Sequence, residues 1–261
     1  MKPTLSVVVI THNEQANITR CLKSVTRHRF SSVRLKEILV VDAQSADKTA
    51  LWARRLGARV VVRPWPGYSA QKNWALRRLK GDWALSLDAD EEMTEPLWNE
   101  IESVLPGTPG IVDGYAVKRR AFFLGKWIQN CGWWPDAQMR LVRRGKGRFN
   151  TNPVHEGLEV DGEKRELSEP LDHHTYTSIG QYLEKMDRYS ALAAAAAPDK
   201  KKRFWRYYLL ADPFVTFFRM FVSRSGWRDG WHGLVVCGLS SFHSFVKYAR
   251  LWEREVLRRG L

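Results

Sequence analysis

Leu85-Ser86-Leu87-Asp88-Ala89-Asp90-Glu91-Glu92 reads as a buried strand that runs directly into acid. Two carboxylates at i and i+2 past a strand end can converge on one hard divalent cation. Mg²⁺ or Mn²⁺ held by one or two carboxylates keeps coordination positions open for diphosphate oxygens. A cation placed there stabilises negative charge on a departing nucleoside diphosphate. The competing reading of the triplet is a solvated acidic turn capping the next helix, and the surrounding pattern decides between the two.

Outward from this run, short β-branched stretches alternate with helical ones. Leu5–Ile10, Glu37–Val41, Ala58–Val62 and Trp83–Leu87 read as strands. Between and after them come a helix with Ile18, Cys21, Leu22 and Val25 on one face, then helices over Ala46–Leu56, Ser69–Leu79 and Thr94–Leu105. Alternation of this kind predicts an α/β fold, a mostly parallel central sheet flanked by helices. In such sheets ligands bind beyond the carboxyl ends of the strands. Asn13 and Glu14, Asp42, and Asp88 with Asp90 all fall there, after strands one, two and four. Gly114 to His174 has shorter elements and no helical period and reads as the lower half of the same domain. Helix returns over Ile179–Ala197, and Pro198 with Lys200-Lys201-Lys202-Arg203 marks a boundary. The expected division is a catalytic domain at 1–198 and a helical extension at 199–261.

Other positions carry possible chemistry. A carboxylate at Asp42 can accept hydrogen bonds from a ribose or base, or can simply brace its own loop; Asp47 reads as a helix N-cap. Gly67-Tyr68-Ser69-Ala70-Gln71-Lys72 places a glycine turn before a helix, with Ser69 as the expected cap and Lys72 in the first turn, where a phosphate would be favoured. Gly132-Trp133-Trp134-Pro135-Asp136 sets a carboxylate beside indoles, and partial desolvation there would raise its pKa and suit it to general-base work. Its structural alternative is a packed corner with Asp136 paired to Arg140. His155-Glu156 and His173-His174 stand in reserve.

Together these residues resemble family-2 glycosyltransferases of the GT-A fold. The resemblance rests on Val8-Val9-Ile10-Thr11-His12-Asn13-Glu14, Val41-Asp42 with Ser45, Asp47 and Thr49, Gln71-Lys72-Asn73, and Asp88 with Asp90. More narrowly, Trp134-Pro135-Asp136 with Gln138, Arg140-Leu141, His155-Glu156 and His173 resembles the lipopolysaccharide-core β-1,4-glucosyltransferase subgroup. In the loop after Asp42 the family usually reads Ser-Gly-Ser-Thr-Asp or similar; here it is Ala43-Gln44-Ser45-Ala46-Asp47, so Gln44 stands where glycine is usual. The resemblance implies a UDP-glucose donor, Mg²⁺ or Mn²⁺ on Asp90 with Asp88, and inversion in one displacement. It implies Asp136 as the base with Glu156 second, and donor contacts from Thr11, Asn13, Glu14, Asp42, Gln71, Lys72 and Asp88. Trp133, Trp134 and Arg140 are expected at the acceptor, which would be an inner-core heptose on a lipid A carrier.

Charge and aromatics gather late in the chain. Net charge is +14, and residues 199–261 hold thirteen Lys/Arg against five Asp/Glu. Such a surface attracts polyanions. Ten of the aromatics lie between Phe204 and Trp231. Asp212-Pro213 reads as a helix start aligning Phe214, Phe217, Phe218 and Phe221; a later helix aligns Leu239, Phe242, Val246 and Ala249 opposite His243, Lys247, Arg250 and Arg254. These faces suit an interfacial helix on anionic lipid or a packed core. Three scattered cysteines argue against a disulfide framework, and no uncharged run reaches transmembrane length, so the expected location is the cytoplasmic side, peripheral on the inner membrane. A nucleic-acid binder is the rival suggested by the charge, but acids at the strand ends would repel a phosphate backbone, and no nucleic acid is expected as partner. A dinucleotide oxidoreductase lacks its GxGxxG after strand one. A donor-binding pseudoenzyme is the third rival.

Overall fold

In the computed structural model, which describes residues 1–150, 157–198 and 204–258, the first strand alternates its burial between two faces. Leu5, Val7 and Val9 of β1 (Thr4–Thr11) join one apolar cluster with α1 (Gln15–Thr26), whereas Val8 and Ile10 join a second with Leu39 and Val41. A period of two places successive side chains on opposite faces, so a continuous apolar run means cover on both sides. The α1 side chains Ile18, Cys21, Leu22 and Val25 are all fully buried, as their spacing requires.

The chain divides into two compact units, Met1–Arg119 with Asp136–His174, and Arg120–Pro135 with Thr175–Leu261. In the first, β1, β2 (Arg34–Asp42), β3 (Arg59–Val62) and β4 (Trp83–Asp88) pair in parallel in the order β3-β2-β1-β4. The intervening helices are α2 (Thr49–Arg55) and α3 (Tyr68–Leu76). Register sets Thr11 opposite Asp42 and Ile10 opposite Asp88, so the predicted acids share one sheet edge. Beyond β4 the sheet turns antiparallel, through β8 (Ala137–Arg143) to β6 (Val112–Phe123); β7 (Lys126–Trp127) and β11 (Glu163–Glu166) each pair with β6, and β9 (Gly147–Phe149) pairs with β10 (Leu158–Val160). The short β5 (Glu91–Glu92) precedes α4 (Glu95–Val104), which Thr94 caps by accepting from the Leu97 amide at 3.3 Å. β5 pairs with β12 (Leu171–Tyr176), His173 opposite Glu91. The expected α/β architecture, a mostly parallel sheet flanked by helices, is therefore present.

The second unit is mostly helical: α5 (Ile179–Ala195), α6 (Trp205–Phe218) and α7 (Gly230–Arg258). Its core joins Phe123, Ile128, Cys131, Tyr182, Met186, Met220, Val236 and Cys237, with Phe217, Phe221, Leu239 and Val246 packed against it. Buried Asp229 organises a loop by accepting from the amides of Gln129 (3.3 Å) and Asn130 (2.9 Å). Among the described residues no helix is long and apolar enough to cross a membrane.

Several local expectations are corrected. Asp47 lies before the cap of α2, which is Lys48; its carboxylate instead ties the amides of Gln15 (3.0 Å) and Thr49 (2.9 Å) together. Ser69 lies inside α3, whose cap is Gly67 at φ 104°. Pro213 sits inside α6 rather than opening a helix, and Asp212 accepts from the Tyr248 hydroxyl at 2.7 Å. The phenylalanine stripe consequently divides: Phe217 and Phe221 pack inward, Phe214 and Phe218 are exposed. The boundary expected at 198/199 and the Lys200–Arg203 cluster touch residues outside the described ones, and the compact units divide the chain elsewhere.

Candidate active site

At the carboxyl edge of β1 and β2 the polar side chains lock two loops together. Asp42, buried, takes the Ser45 amide on Oδ1 at 2.9 Å, and on Oδ2 the hydroxyls of Ser45 (2.6 Å) and Thr11 (2.9 Å). Asn13 donates its amide to Ser45 Oγ at 2.8 Å and accepts from the Ala46 amide at 2.9 Å. The Glu14 amide reaches Thr49 Oγ1 at 2.8 Å. Thr11, Asn13, Glu14 and Asp42 thus lie together at this edge, with Asp42 bracing its loop. Gln44 and Asn13 both take left-handed backbone, φ 57° and 56°. Gln44 adopts the conformation that makes glycine usual at its position.

The second cluster is a row of alternating charges along β4, β5, β6 and β8. Lys72 Nζ, buried, lies 2.9 Å from Asp88 Oδ1, and Arg140 Nη2 lies 2.7 Å from Asp88 Oδ2. The same Arg140 nitrogen meets Glu91 Oε1, to which Arg119 Nη1 also comes at 3.4 Å. Glu91 Oε2 accepts the Asp88 amide at 2.9 Å. Arg119 Nε then bonds Asp136 Oδ2 at 2.9 Å, and Gln138 Nε2 donates to Asp136 Oδ1 at 2.8 Å. Glu91 is fully buried, a position a carboxylate holds only when paired.

These partners set the acidities. Burial pushes the Asp88 carboxyl up, but Lys72 and Arg140 outweigh it and hold it well below the usual range. For Asp136, burial likewise raises and the Arg119 charge with the Gln138 hydrogen bond lowers; the net direction is down. The sequence expectation of a raised Asp136 pKa is therefore corrected, because its partner is a guanidinium rather than an indole, and that partner is Arg119, not Arg140. Arg140 is itself revised: it is buried between Asp88 and Glu91 rather than presented to an acceptor.

Asp90 lies apart from this row. Its Oδ2 is 3.4 Å from His173 Nε2, a nitrogen brought there by the β5–β12 pairing, and its carbonyl accepts the His174 amide at 2.9 Å. Among the described residues no three His, Cys, Asp or Glu converge as a complete metal cage. An oxygen and an imidazole nitrogen facing one another fit a cation that completes its shell from a ligand and water. Asp88, its two oxygens taken up by cationic side chains, fits that role less well than Asp90.

Gln71 is fully buried, and neither atom of its amide has a hydrogen-bond partner among the described residues. Trp133 and Trp134 belong to the second unit: Trp133 packs on its core, 6.3 Å edge-on from Phe123, and Trp134 stands edge-on to Trp127 at 5.4 Å. His155 and Glu156 lie outside the described residues. Sequence reasoning missed Glu91 and Arg119. Glu91 directly follows the acidic triplet, but it stands between Asp90 and Glu92 and nothing in the pattern singles it out; Arg119, in Lys118-Arg119-Arg120, likewise carries no signal separating it from its neighbours.

The family model "Glycosyl transferase family 2" matches residues 6–146. A lipopolysaccharide core biosynthesis glycosyltransferase, LpsC, of Rhizobium meliloti (strain 1021) is 29% identical over 98% of this chain and 95% of its own length. An uncharacterized glycosyltransferase of Rickettsia felis (strain ATCC VR-1525 / URRWXCal2) is 31% identical over 95% of this chain and 89% of its own. Among solved structures, a mannosyltransferase of Pyrobaculum calidifontis in complex with GDP-Man and Mn²⁺ superposes with a TM-score of 0.54 at 16% identity, covering 98% of this chain and 88% of that one. At that identity the likeness is one of fold.

Proposed function

We propose that this chain, which belongs to glycosyl transferase family 2, transfers a hexose from a nucleotide-sugar donor to an inner-core sugar of a lipopolysaccharide precursor, with glucose from UDP-glucose as the donor of choice. The observation that carries the reading is the charge row from Lys72 to Asp136, with Asp90 and His173 beside it at the carboxyl edge of the sheet. The name of the Rhizobium relative supports the lipopolysaccharide-core substrate.

In this mechanism Asp136, ionised at neutral pH, takes the proton of the acceptor hydroxyl. The freed oxygen forms a bond to the anomeric carbon from the face opposite the diphosphate, and the anomeric carbon–oxygen bond breaks with its electron pair leaving on the diphosphate, which inverts the centre. Arg119 and Gln138 hold the Asp136 carboxylate in place. Asp90 and His173 would hold the divalent cation, which supplies charge stabilisation to the leaving diphosphate; an imidazole donor suits Mn²⁺ better than the all-oxygen preference of Mg²⁺. Thr11, Asn13, Glu14, Asp42, Gln71 and Lys72 form the donor side, with Asp42 acting through the loop it braces. Glu156 remains the second candidate for the base. A lipid-anchored acceptor would put the work at a membrane surface, and a nucleotide-sugar donor would put it on the cytoplasmic side.

The test is a panel of UDP-sugars assayed for donor hydrolysis and transfer with Mn²⁺ and with Mg²⁺. Turnover of UDP-glucose that depends on Mn²⁺ is expected. UDP binding with no turnover on any donor would identify a non-catalytic binder, and a salt-sensitive shift of random DNA indifferent to UDP would favour a nucleic-acid protein instead.

A further inference from the structure

Helix α6 is rich in apolar residues, yet not one of its fourteen residues is buried. Its outer side presents Tyr207, Leu210, Phe214 and Phe218, continued by Val222 in the turn that follows, a spacing of three and four that draws one stripe along the helix. Leu210 is 69% exposed, Phe214 68% and Phe218 59%. Helix α7 carries a second stripe, Trp231, Val235, Phe242, Phe245 and Trp252, every member exposed. The two stripes share one side of the unit, because Leu210 and Phe214 of α6 and Phe242 and Phe245 of α7 line a common open groove of about 370 Å³.

Two polar side chains beside the groove are satisfied within the protein. Ser241 Oγ, in the groove, donates to the Pro213 carbonyl at 2.8 Å, and the Asp212 carboxylate takes the Tyr248 hydroxyl at 2.7 Å. Proline brings no N–H of its own to the groove. These two groups can therefore leave water without losing their hydrogen bonds.

Charge identifies what covers it. Residues 204–258 hold eight Lys/Arg against four Asp/Glu. Of the four acids, Asp229 is buried, Asp212 is bonded to Tyr248 and Glu255 accepts the Trp205 indole N–H, which leaves Glu253 as the one exposed acid of this stretch. Arg206, Arg219, Arg224, Arg228 and Arg254 are exposed around the apolar stripes. Trp227 and Trp231, both exposed, are the amphipathic type that settles at headgroup depth. A second copy of this chain would bring the same positive charge to the same face.

We propose that the outer face of α6 and α7 is a membrane-insertion surface that seats in the leaflet of an anionic bilayer, apolar stripes among the acyl chains and arginines at the headgroups. This deepens the reading of a lipid-linked acceptor given above, but it is measured without substrate, so either can fail alone.

The experiment is co-sedimentation of the full chain with vesicles of phosphatidylglycerol and phosphatidylethanolamine and, separately, with phosphatidylcholine vesicles, alongside sedimentation equilibrium without lipid. The wild type is expected on anionic vesicles, roughly tenfold more weakly on neutral ones. The double variant Leu210→Glu with Phe214→Glu should lose at least roughly tenfold in vesicle affinity with unchanged UDP-glucose hydrolysis. Should that variant misfold by circular dichroism, Phe242→Ser reads the same face with a milder change and is expected to weaken vesicle binding in the same direction. Vesicle binding that these changes leave intact, or a wild-type dimer that Phe214→Glu dissociates while vesicles bind nothing, overturns the proposal.

Discussion

The two compact units treat charge and apolar surface in opposite ways. Along β4, β5, β6 and β8, ionised side chains are taken out of water and strung into a row, Glu91 fully buried at its centre. Across α6 and α7, large apolar side chains are left facing outward while Asp229 is buried. Each inversion costs free energy. Burying an ion costs several kcal/mol before its partners offset it, roughly, and a contiguous apolar patch invites association. A chain keeps such features where a ligand or a surface completes them. Under the two proposals above, the difference separates a unit that handles a charged substrate from one that meets an apolar phase.

The comparison can be broken first at its chemical end. Asp136→Asn should lower transfer about a thousandfold while leaving the affinity for UDP near that of the wild type, as calorimetry and turnover measured side by side would show. Near-normal transfer by this variant would remove Asp136 from its role.

Next in size is Glu91→Ala, which leaves Arg140 buried against Asp88 alone and should cost about 3–5 kcal/mol of stability, read by denaturant unfolding. A cost within about 1 kcal/mol would mean that water already solvates the row.

A related prediction concerns acid. Glu102 accepts the amides of Ser31 (2.6 Å), Ser32 (2.7 Å) and Val33 (3.1 Å); burial raises its carboxyl, but these bonds with His28 bring it down to about 2. A depressed folded-state pKa contributes stability above the unfolded value of 4.5 and loses it as pH falls toward 2. About 3 kcal/mol should therefore disappear over that window, and Glu102→Gln should flatten the pH dependence of the unfolding midpoint there.

Smaller again, the acidic limb of kcat/KM should lie below the ordinary carboxylate range, since activity needs ionised Asp136 and is lost as pH falls through its lowered pKa. Arg119→Met removes the lowering charge and should move that limb to higher pH. The smallest effect is at Gln44, whose φ of 57° should let Gln44→Gly stabilise the loop by about 1 kcal/mol or less.

Much of the fold was legible because it is local. The spacing of Ile18, Cys21, Leu22 and Val25 requires a buried helical face, and the apolar runs before Asp42 and Asp88 require buried strands. Helix starts were read less well. Asp47, Ser69 and Asp212 have the right chemistry for caps, but Lys48 and Gly67 hold the cap positions, and Asp212 lies within a helix that passes through Pro213. Tertiary hydrogen bonds, such as Asp47 to Gln15 and Asp212 to Tyr248, use those side chains elsewhere.

Which acids end which strands can be read from the residue pattern, because side-chain alternation follows from neighbours in the chain; that Thr11, Asp42 and Asp88 meet at one edge depends on the order β3-β2-β1-β4, in which β1 lies beside the distant β4. Their partners come from the assembled fold. That Arg140 serves Asp88 and Glu91, that Arg119 rather than Arg140 holds Asp136, and that His173 faces Asp90 all depend on the register of β8, β6 and β12 against distant strands, and register is a property of the assembled sheet.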